Sequence, residues 1–514
     1  MIIICHKRNV IKKVFDFDNQ KTIELEEVVV SKGILKLAER FSDRLLLWCH
    51  EDVIELLNVF EIKSLFHHNK MMMSYNPIFN YLSDAIGYVD ESIFINVNKE
   101  VTYPTWQMSG LVGGINAEIL LALKDDIMIY EDFEYFLNSL AKNSMPQGVI
   151  CYSESKLLTN KNVKYTEKAS SFVLFKFVKQ HYKTRWIFLL LLNILIYERR
   201  FLLLPFLNSL FYNKIKFNGG AKLNEINIKS SKKVIKKREL DVIIPTIGRK
   251  AYLYDVLKDF SKQTILPRKI VIVEQNPELG SVSELDYITN EIWPFTIDHV
   301  FIHQIGVCNA RNLALKRTES EWVFLADDDN RFDLDLIEKI FNKIELYGVE
   351  ALITSYLQKG EIKLSQYPIQ SSIFGAGNSF VKREFLETIE FNKGMEFGYG
   401  EDADFGMQIR NQGVDVVYFP EIEIEHLKAP IGGFRIKPVL GWNNDKIKPK
   451  PSPTVLLFRL LYHTREQILG YKTVLFLKFY KVQNIKNPLA YFLNFKKQWK
   501  ISEKWAEKLK ENEI

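Results

Sequence analysis

The sequence has few cysteines and little net charge for its length of 514 residues. None of its four cysteines belongs to a CxxC pair, so neither a structural zinc site nor a disulfide framework is expected, and a reducing compartment is favoured. The formal net charge of +6 does not indicate nucleic acid as a partner, and none is expected. The four cysteines are Cys5, Cys49, Cys151 and Cys308.

The sequence also lacks the pattern of a signal peptide and an apolar run long enough to span a bilayer. From Met1 to Arg8 a very short apolar run precedes the charges, which is the reverse of a signal peptide and predicts a first β-strand. The apolar run from Trp186 to Tyr197 is shorter than the roughly 20 residues that cross a bilayer. Lysine and arginine punctuate residues 171–212, which leaves three interpretations: a helix in the membrane interface, a buried hairpin packing two domains together, and a spanning segment.

The chain is long enough for two or more domains, and its 47% hydrophobic and 26% charged residues are typical of globular proteins. Residues 237–440 alternate short apolar strands with amphipathic helices, which predicts an α/β sheet with helices on both faces. Residues 1–165 mix strands and helices. Residues 166–236 are apolar, aromatic and basic, and residues 441–514 are a basic, helical tail whose composition favours contact with anionic lipid.

Three short motifs within residues 237–440 carry the chemistry. An apolar strand ends in the acidic triplet Asp327 to Asp329, a glycine-rich turn ends in Glu401 and Asp402, and His426 follows a later strand. Carboxylates and imidazole suit Mg²⁺ or Mn²⁺, and such an ion can neutralise a diphosphate leaving group. A separate carboxylate can act as a general base. The combination favours group transfer from a nucleotide-diphosphate donor, although the triplet alone also fits an exposed acidic turn.

Earlier strands of the same zone offer contacts for a nucleotide. The strand from Leu240 to Thr246 is followed by Arg249, and the next strand ends at Glu274. Strand ends that lead into helices are where open α/β sheets bind ligands. The helix that begins after Gly306 offers free N–H groups to phosphate. A surface arginine and a strand-end acid are each common, so neither is specific by itself.

Taken in their order along the chain, the motifs of residues 240–427 resemble those of an inverting, family 2-type glycosyltransferase with the GT-A fold. The set also includes the helix start from Asn309 to Asn312, the glycines from Gly375 to Asn378, and Arg410. One departure is Glu274, where the family often has aspartate. The resemblance implies a Rossmann-like mixed sheet with helices on both faces.

The resemblance also implies the roles of individual residues. Asp402 would deprotonate the acceptor hydroxyl, and Glu401 would orient the acceptor or the donor sugar; the repulsion between these neighbours would raise the pKa of the base. Mn²⁺ or Mg²⁺ would bind to Asp327, Asp329 and His426. The donor would contact Pro245, Thr246, Arg249, Glu274, Asn309, Arg311, Asp327 and Asp328.

The implied reaction is metal-dependent transfer of a sugar, foremost from a UDP-sugar, to a hydroxyl of a glycan or lipid-linked acceptor. Surface polysaccharide synthesis at the cytoplasmic face of the plasma membrane would suit it. Two other classes remain open: a sugar nucleotidyltransferase, and a non-catalytic protein that binds a sugar nucleotide or glycan. The first fits poorly, because residues 245–249 lack the glycine- and arginine-rich loop that it needs.

The N-terminal zone repeats the pattern of the catalytic zone in shortened form. Residues 37–52 parallel 313–329, residues 109–116 parallel 374–378, and residues 130–136 parallel 399–405. The 80 residues from Asp52 to Asp132 are close to the 73 from Asp329 to Asp402, which pairs Asp132 with Asp402, and His50-Glu51-Asp52 parallels the acidic triplet. The space before His50 is too short for a full nucleotide pocket. We therefore predict a degenerate, non-catalytic GT-A-like domain followed by basic amphipathic helices, with a second active transferase site as the alternative.

Overall fold

Two mixed β-sheets organise the protein, which divides into two compact units. A computed structural model describes residues 1–429 and 439–511. The first unit consists of residues 1–232, 367–372 and 463–478, and the second of residues 233–366, 373–462 and 479–514. Parts of the predicted zones 237–440 and 441–514, namely residues 430–438 and 512–514, lie outside the described residues.

The strands have the following bounds. They are β1 (Ile2–Lys7), β2 (Val10–Asp16), β3 (Lys21–Thr22), β4 (Leu45–His50), β5 (Met71–Tyr75), β6 (Tyr103–Pro104), β7 (Val112–Asn116), β8 (Ile150–Ser153), β9 (Leu240–Thr246), β10 (Lys269–Gln275), β11 (Thr296–Ile302), β12 (Trp322–Ala326), β13 (Asn330–Phe332), β14 (Ala351–Leu357), β15 (Ile369–Gln370), β16 (Asn378–Lys382) and β17 (Val416–His426).

The α-helices have the following bounds, and a π-helical turn over Ile194–Glu198 follows the sixth. They are α1 (Val30–Arg40), α2 (Ile62–Leu65), α3 (Ala117–Ala122), α4 (Phe133–Ser144), α5 (Ser171–His181), α6 (Arg185–Asn193), α7 (Leu203–Ser209), α8 (Gly220–Asn224), α9 (Lys250–Ser261), α10 (Tyr287–Asn290), α11 (Val307–Leu315), α12 (Leu336–Tyr347), α13 (Glu401–Asn411), α14 (Pro453–Tyr462), α15 (Arg465–Tyr480) and α16 (Pro488–Lys510).

The sheet of the first unit has the order β3-β2-β1-β4-β7-β5-β8-β6. Successive side chains of a strand point to opposite faces, and the core follows this alternation. Ile2 and Ile4 belong to one buried cluster, whereas Ile3 belongs to another on the other face. The first cluster also contains Phe175 and Leu190, so the helices after residue 170 pack against this sheet.

The sheet of the second unit has the order β11-β10-β9-β12-β16-β14-β17-β13. Strands β9, β10 and β12 run parallel, with Thr246 of β9 opposite Glu274 of β10. Helix α9 packs its apolar stripe of Leu253, Val256, Leu257 and Phe260 into the core, as the helical spacing predicts. Parallel strands end at the same edge of a sheet, so the polar residues that follow β9, β10 and β12 are brought together there.

Five strands of each sheet follow the same path. In the first unit β1 and β4 are parallel, β4 and β7 antiparallel, β7 and β5 antiparallel, and β5 and β8 parallel. Strands β9, β12, β16, β14 and β17 repeat this order with the same relative directions. The prediction of a mixed α/β protein with a sheet in each half is confirmed.

Residues 171–212, for which a membrane-spanning segment was one of three interpretations, form helices of the first unit. Helices α5, α6 and α7 are 11, 9 and 7 residues long. Within residues 1–429 and 439–511, the structure contains no helix whose length and apolar character would let it cross a bilayer.

Candidate active site

A cavity of about 550 Å³ opens at the carboxyl edge of the second sheet. The strands β9 and β12, the start of α13 and the end of β17 each bring residues to it. Ten of the residues predicted from the sequence line this cavity. They are Pro245, Thr246, Arg249, Arg311, Asp327, Asp328, Asp329, Glu401, Asp402 and His426.

The three consecutive aspartates after β12 have separate partners. Asp328 is buried and accepts hydrogen bonds from the Thr246 hydroxyl at 2.6 Å and from Arg249 Nη1 at 2.5 Å. Burial raises the pKa of Asp328 to about 6, against the lowering effect of Arg249 and Thr246. Thr246 and Arg249 therefore hold the Asp328 carboxylate in place. The end of β9 and the turn after it are in this way arranged around a buried carboxylate.

Asp327 and Asp329 point toward His426. One oxygen from each carboxylate and one imidazole nitrogen lie within 4.8 Å of one another. The Asp329 Oδ2 atom accepts hydrogen bonds from the Ala429 amide at 2.8 Å and from Arg249 Nη1 at 3.3 Å. Its Oδ1 atom is buried, lies 3.6 Å from His426 Nε2 and accepts no hydrogen bond from the described residues.

A buried carboxylate oxygen without a hydrogen bond is costly in free energy, because burial removes its water and supplies no donor. Asp329 Oδ1 is such an atom, and it faces the other two ligand atoms of the group. Two carboxylates and an imidazole are also the ligand types that Mn²⁺ accepts. The three residues therefore fit the divalent metal that the sequence predicted.

Strand pairing and one aromatic ring fix His426. The histidine ends β17 and is paired with Asn330 of β13. The ring of Tyr356, from β14, stacks on its imidazole with centroids 4.6 Å apart and planes 11° apart. The Tyr356 hydroxyl lies 3.0 Å from Asp327 Oδ2 and 2.8 Å from Asn330 Oδ1. Tyr356 thus contacts two of the three ligands, which makes it a supporting residue of the group.

The acid pair begins α13, where Gly400 takes a left-handed conformation with φ of 112°. The Asp402 carboxylate accepts hydrogen bonds from the Ala376 amide at 3.2 Å and from Arg311 Nη1 at 3.3 Å. The other terminal nitrogen of Arg311 donates to Asp327 Oδ1 at 3.2 Å. Arg311 is buried, so one arginine joins the predicted base to the predicted metal group.

Burial dominates the electrostatics of this pair. It raises the pKa of Glu401 to about 7, with repulsion from Asp402 as the second cause. Burial also raises the pKa of Asp402, although the positive charge of Arg311 opposes the shift. The sequence predicted a raised pKa from repulsion between neighbours, whereas the structure gives desolvation as the larger cause. Burial therefore favours the protonated form of both acids relative to free carboxyl groups.

Two predicted donor residues do not line the cavity. Glu274 is buried beside it, where its carboxylate accepts hydrogen bonds from the Ser283 hydroxyl at 2.5 Å and the Glu284 amide at 3.1 Å, and lies 2.9 Å from His299 Nε2. Asn309 instead donates a hydrogen bond from its backbone amide to the Glu396 carboxylate. The neighbouring Gln275, which the sequence did not single out, lines the cavity instead.

The N-terminus of α11 is occupied by a side chain of the protein. The Glu396 carboxylate accepts hydrogen bonds from the amides of Cys308 at 3.0 Å and Asn309 at 2.9 Å. A Cβ atom at Gly306 would lie 2.5 Å from Glu396 Oε2, so glycine permits this approach. The predicted free N–H groups for phosphate are therefore already paired with a carboxylate.

The sequence missed Tyr356, Ala429 and Glu396. Each acts across a long sequence separation, and none lies in a recognisable motif. Gly377 offered a signal, because a Cβ atom there would lie 2.2 Å from Asp327 Oδ2. Its position in a glycine-rich segment before β16 was visible, but its contact with the acidic triplet was not.

A segment that supplies most of the residues lining this cavity matches a known family. The model of Glycosyl transferase family 2 matches residues 241–398. These residues form a glycosyl transferase family 2 domain. The resemblance inferred from the ordered motifs is thereby confirmed for this region, and the acidic triplet and the glycines before β16 lie inside the matched segment.

Two relatives align with parts of the chain. An uncharacterized glycosyltransferase of Bacillus subtilis, YwdF, is 28% identical over 139 residues, which are 26% of this chain and 49% of that protein. An uncharacterized glycosyltransferase of Haemophilus influenzae is 27% identical over 106 residues, which are 21% of this chain and 34% of that protein. The chain spans about half, or less, of the length of these relatives.

Solved structures with some similarity include those of S. aureus TarS. TarS 1–349 has a TM-score of 0.36 and 14% identity, and the match covers 53% of this chain and 92% of that one. TarS 1–349 in complex with UDP-GlcNAc has a TM-score of 0.33 and 13% identity, and covers 51% and 71%. The assignment of the family 2 domain accordingly rests on the match to the family model.

Proposed function

We propose that this protein transfers a sugar from a nucleotide-diphosphate donor, with UDP as the expected nucleotide, to a hydroxyl of a glycan or lipid-linked acceptor. One observation carries the proposal: Arg311 and Asp327 of the family 2 domain share a single cavity with Asp402, and Arg311 donates hydrogen bonds to both carboxylates. A carboxylate able to take a proton and a group able to hold a diphosphate-bound metal are the two parts that such a transfer needs. The domain would have the GT-A fold.

The proposed roles follow from these contacts. Asp327, Asp329 and His426 would hold Mn²⁺ or Mg²⁺, which when bound supplies positive charge to the leaving diphosphate. Arg311 would position Asp327 and Asp402. Glu401, beside the base, would orient the acceptor or donor sugar. Pro245 and Thr246 would line the nucleotide side, where Thr246 and Arg249 also hold Asp328.

The proposed reaction is a single displacement. Asp402 accepts the proton of the acceptor hydroxyl as its oxygen forms a bond to the anomeric carbon. The bond from that carbon to the diphosphate oxygen breaks, and the nucleoside diphosphate leaves with the electron pair. Attack opposite the leaving group inverts the anomeric centre. A carboxylate with a raised pKa suits this step, because a general base works best when its pKa is near the working pH.

Ligand stabilisation of the folded protein tests the donor site. We expect UDP to raise the melting temperature more than dTDP, GDP, CDP or ADP, and Mn²⁺ to enlarge the effect, because a ligand of the folded state shifts unfolding by mass action. The measurement is a thermal-shift panel of the five nucleotides, each with and without Mn²⁺. Selective stabilisation by another nucleotide would change the donor, and no stabilisation by any would contradict the transferase proposal.

We also propose that the first unit is a GT-A-like copy that does not catalyse. Its support is a residue-level correspondence in addition to the shared strand path. Glu134, the second residue of α4, accepts a hydrogen bond from the Gly110 amide at 2.8 Å, two residues before β7. Asp402, the second residue of α13, accepts one from the Ala376 amide, two residues before β16.

The corresponding site of the first unit is filled by side chains. Tyr165 donates a hydrogen bond to Glu134 Oε1 at 2.7 Å, and its ring packs on His50 with centroids 5.4 Å apart. The ring of His6 also packs against His50, with centroids 5.6 Å apart in an edge-on arrangement. The alignment from the sequence paired Asp132 with Asp402, but Asp132 caps α4 by accepting from the Tyr135 amide. The structural counterpart of Asp402 is therefore Glu134.

We expect Glu134→Gln to retain transfer activity and to change the pH dependence of stability. Burial raises the pKa of Glu134 from 4.5 to about 8, and the charges of Asp132 and Glu167 add to the shift, while Tyr165 and the Gly110 amide oppose it. An acid whose pKa is raised by folding contributes stability that is complete below the unfolded pKa and is lost as the pH rises through the folded pKa. Melting temperatures measured from about pH 5 to about pH 9 should fall for the wild type relative to the variant.

Glu131→Gln is the matched control, because Glu131 is an exposed glutamate of the same segment. Its melting temperature should follow that of the wild type across the same pH range. Parallel curves for Glu134→Gln and the wild type would show that Glu134 titrates normally. Loss of transfer by Glu134→Gln would contradict the proposal that the first unit is not catalytic.

A further inference from the structure

Helices α5, α6 and α7 of the first unit have one buried side and one exposed side. Phe175 of α5, Leu190 of α6 and Phe206 of α7 lie in the core cluster that covers one face of the sheet. Large apolar side chains nevertheless remain on the outside of the same segment. We call these exposed side chains the apolar face, namely Phe188, Ile196, Phe201, Leu204, Leu207 and Phe211.

The apolar face is a patch and not a scatter of single residues. Leu204, Leu207 and Phe211 are spaced by three and four residues, which places them along one side of α7 and the turn after it. Phe188 of α6 packs on Phe206 of α7, with ring centroids 5.0 Å apart, so the two helices are neighbours. Exposure reaches 71% for Leu204 and 86% for Phe211. A contiguous exposed patch of this kind marks an interaction site.

The charge of this segment is strongly one-sided. Residues 171–216 contain eight lysines and arginines and one acid, Glu198, which gives a net charge of +7 (8 minus 1). The rest of the chain has 61 basic residues (69 minus 8) and 62 acidic ones (63 minus 1), a net charge of −1. The net positive charge of the protein therefore comes from the segment that presents the apolar face.

We propose that the apolar face docks on a bilayer surface that contains anionic lipid. Apolar side chains enter the boundary between headgroups and acyl chains, while lysine and arginine beside them attract the anionic headgroups. A second copy of the chain suits the face less well. Symmetric pairing would bring the same surface of both copies together, and two segments of charge +7 would then repel each other.

The arrangement of the helices suits a surface contact. Helices α6 and α7 are 9 and 7 residues long, and both bury one side in the core of the first unit, so they can rest along a bilayer without leaving the fold. Arg185 begins α6, and Arg199 lies between the π-helical turn and α7; both are exposed. Lys214 is also exposed after α7. Basic side chains thus occur at both ends of the apolar stretch.

Vesicle flotation of the full-length protein tests this docking. The probes are vesicles of phosphatidylcholine alone and vesicles of phosphatidylcholine with phosphatidylglycerol. The wild type should float with the anionic vesicles and be released by salt, since screening weakens contacts between exposed charges. The triple variant Phe201→Ser, Leu204→Ser and Phe211→Ser should lose at least about tenfold in partitioning, given the transfer free energy of three large apolar side chains.

A matched control replaces exposed apolar residues elsewhere. Phe60 and Ile292 are 93% and 99% exposed, and Phe60→Ser with Ile292→Ser should leave flotation unchanged. A second variant, Arg199→Gln with Arg200→Gln and Lys214→Gln, leaves the apolar residues intact and should reduce the preference for anionic vesicles. This variant keeps the test valid if the triple serine variant does not fold.

Three outcomes would overturn the proposal. In the first, the wild type does not float with the anionic vesicles. In the second, both the serine variant and the glutamine variant float as well as the wild type. In the third, the wild type would be a dimer in size-exclusion chromatography and would not bind vesicles, whereas the serine variant would be a monomer. That result would assign the face to contact between copies of the chain.

Discussion

Asp402→Asn should abolish sugar transfer and leave nucleotide binding intact. Asparagine has nearly the same shape and can still accept the hydrogen bond from the Ala376 amide through its carbonyl oxygen. It cannot take a proton from the acceptor. A positioned general base contributes about 10²–10⁴-fold to a rate, and kcat should fall by that amount. The measurement is kcat for transfer together with the nucleotide-dependent rise in melting temperature.

An exposed aspartate supplies the control for this change. Asp286 pairs with Lys250, and its side chain is 63% exposed, so Asp286→Asn should keep both activity and nucleotide binding. If Asp402→Asn lost nucleotide binding as well as transfer, Asp402 would be a donor-binding residue. If it kept transfer, the base would be another group of the cavity, with Glu401 as the first to test.

Asp329→Asn should remove the metal dependence of donor binding. The Asp329 Oδ1 atom is the buried oxygen that has no hydrogen-bond partner among the described residues, and it faces His426 and Asp327. Asparagine replaces the negatively charged carboxylate by a neutral amide group. Changes to residues that only support metal ligands reduce metal affinity by about 10–100-fold, and loss of a ligand should exceed that range.

The measurement for Asp329→Asn is a titration of Mn²⁺ against the stabilisation by nucleotide and against the transfer rate. Asp333→Asn is the matched control, because Asp333 follows β13 closely and its side chain is 80% exposed. The control should need the same Mn²⁺ concentration as the wild type. An unchanged requirement in Asp329→Asn would remove Asp329 from the metal group.

Local patterns were sufficient to predict the strands and motifs of the family 2 domain. The apolar run from Leu240 to Thr246 has the bounds of β9, and the acidic triplet directly follows β12. These features depend on neighbours in the sequence and on the rule that parallel strands end at one edge. Ten of the predicted residues consequently line one cavity.

Partners that come from distant segments were not predictable in the same way. Three consecutive aspartates look alike in sequence, yet Asp328 is held by Thr246 and Arg249, whereas Asp329 faces His426. The stacking of Tyr356 on His426 depends on the pairing of β14 with β17. The occupation of the α11 N-terminus by Glu396 depends on a contact across 87 residues. Tertiary packing, and no local propensity, determines each of these contacts.

The strand path shared by the two sheets was likewise predictable only in part from the sequence. The sequence predicted a degenerate copy in the first half, and the shared order and directions of five strands support it. The sequence comparison paired Asp132 with Asp402, whereas the proposed counterpart, Glu134, lies two residues later. Acidic residues in one short segment are interchangeable in a pattern, and only the start of α4 distinguishes Glu134 from its neighbours.

The hydrogen bond from a helix-start carboxylate to an amide before the adjoining strand occurs in both units. In the first unit that carboxylate also accepts a hydrogen bond from Tyr165, and its bond to the Gly110 amide links α4 to the residues before β7. Such a bond is a property of the scaffold. The scaffold thus holds an acid at a fixed place whether or not a reaction occurs, and chemistry depends on what the surrounding loops leave open above it.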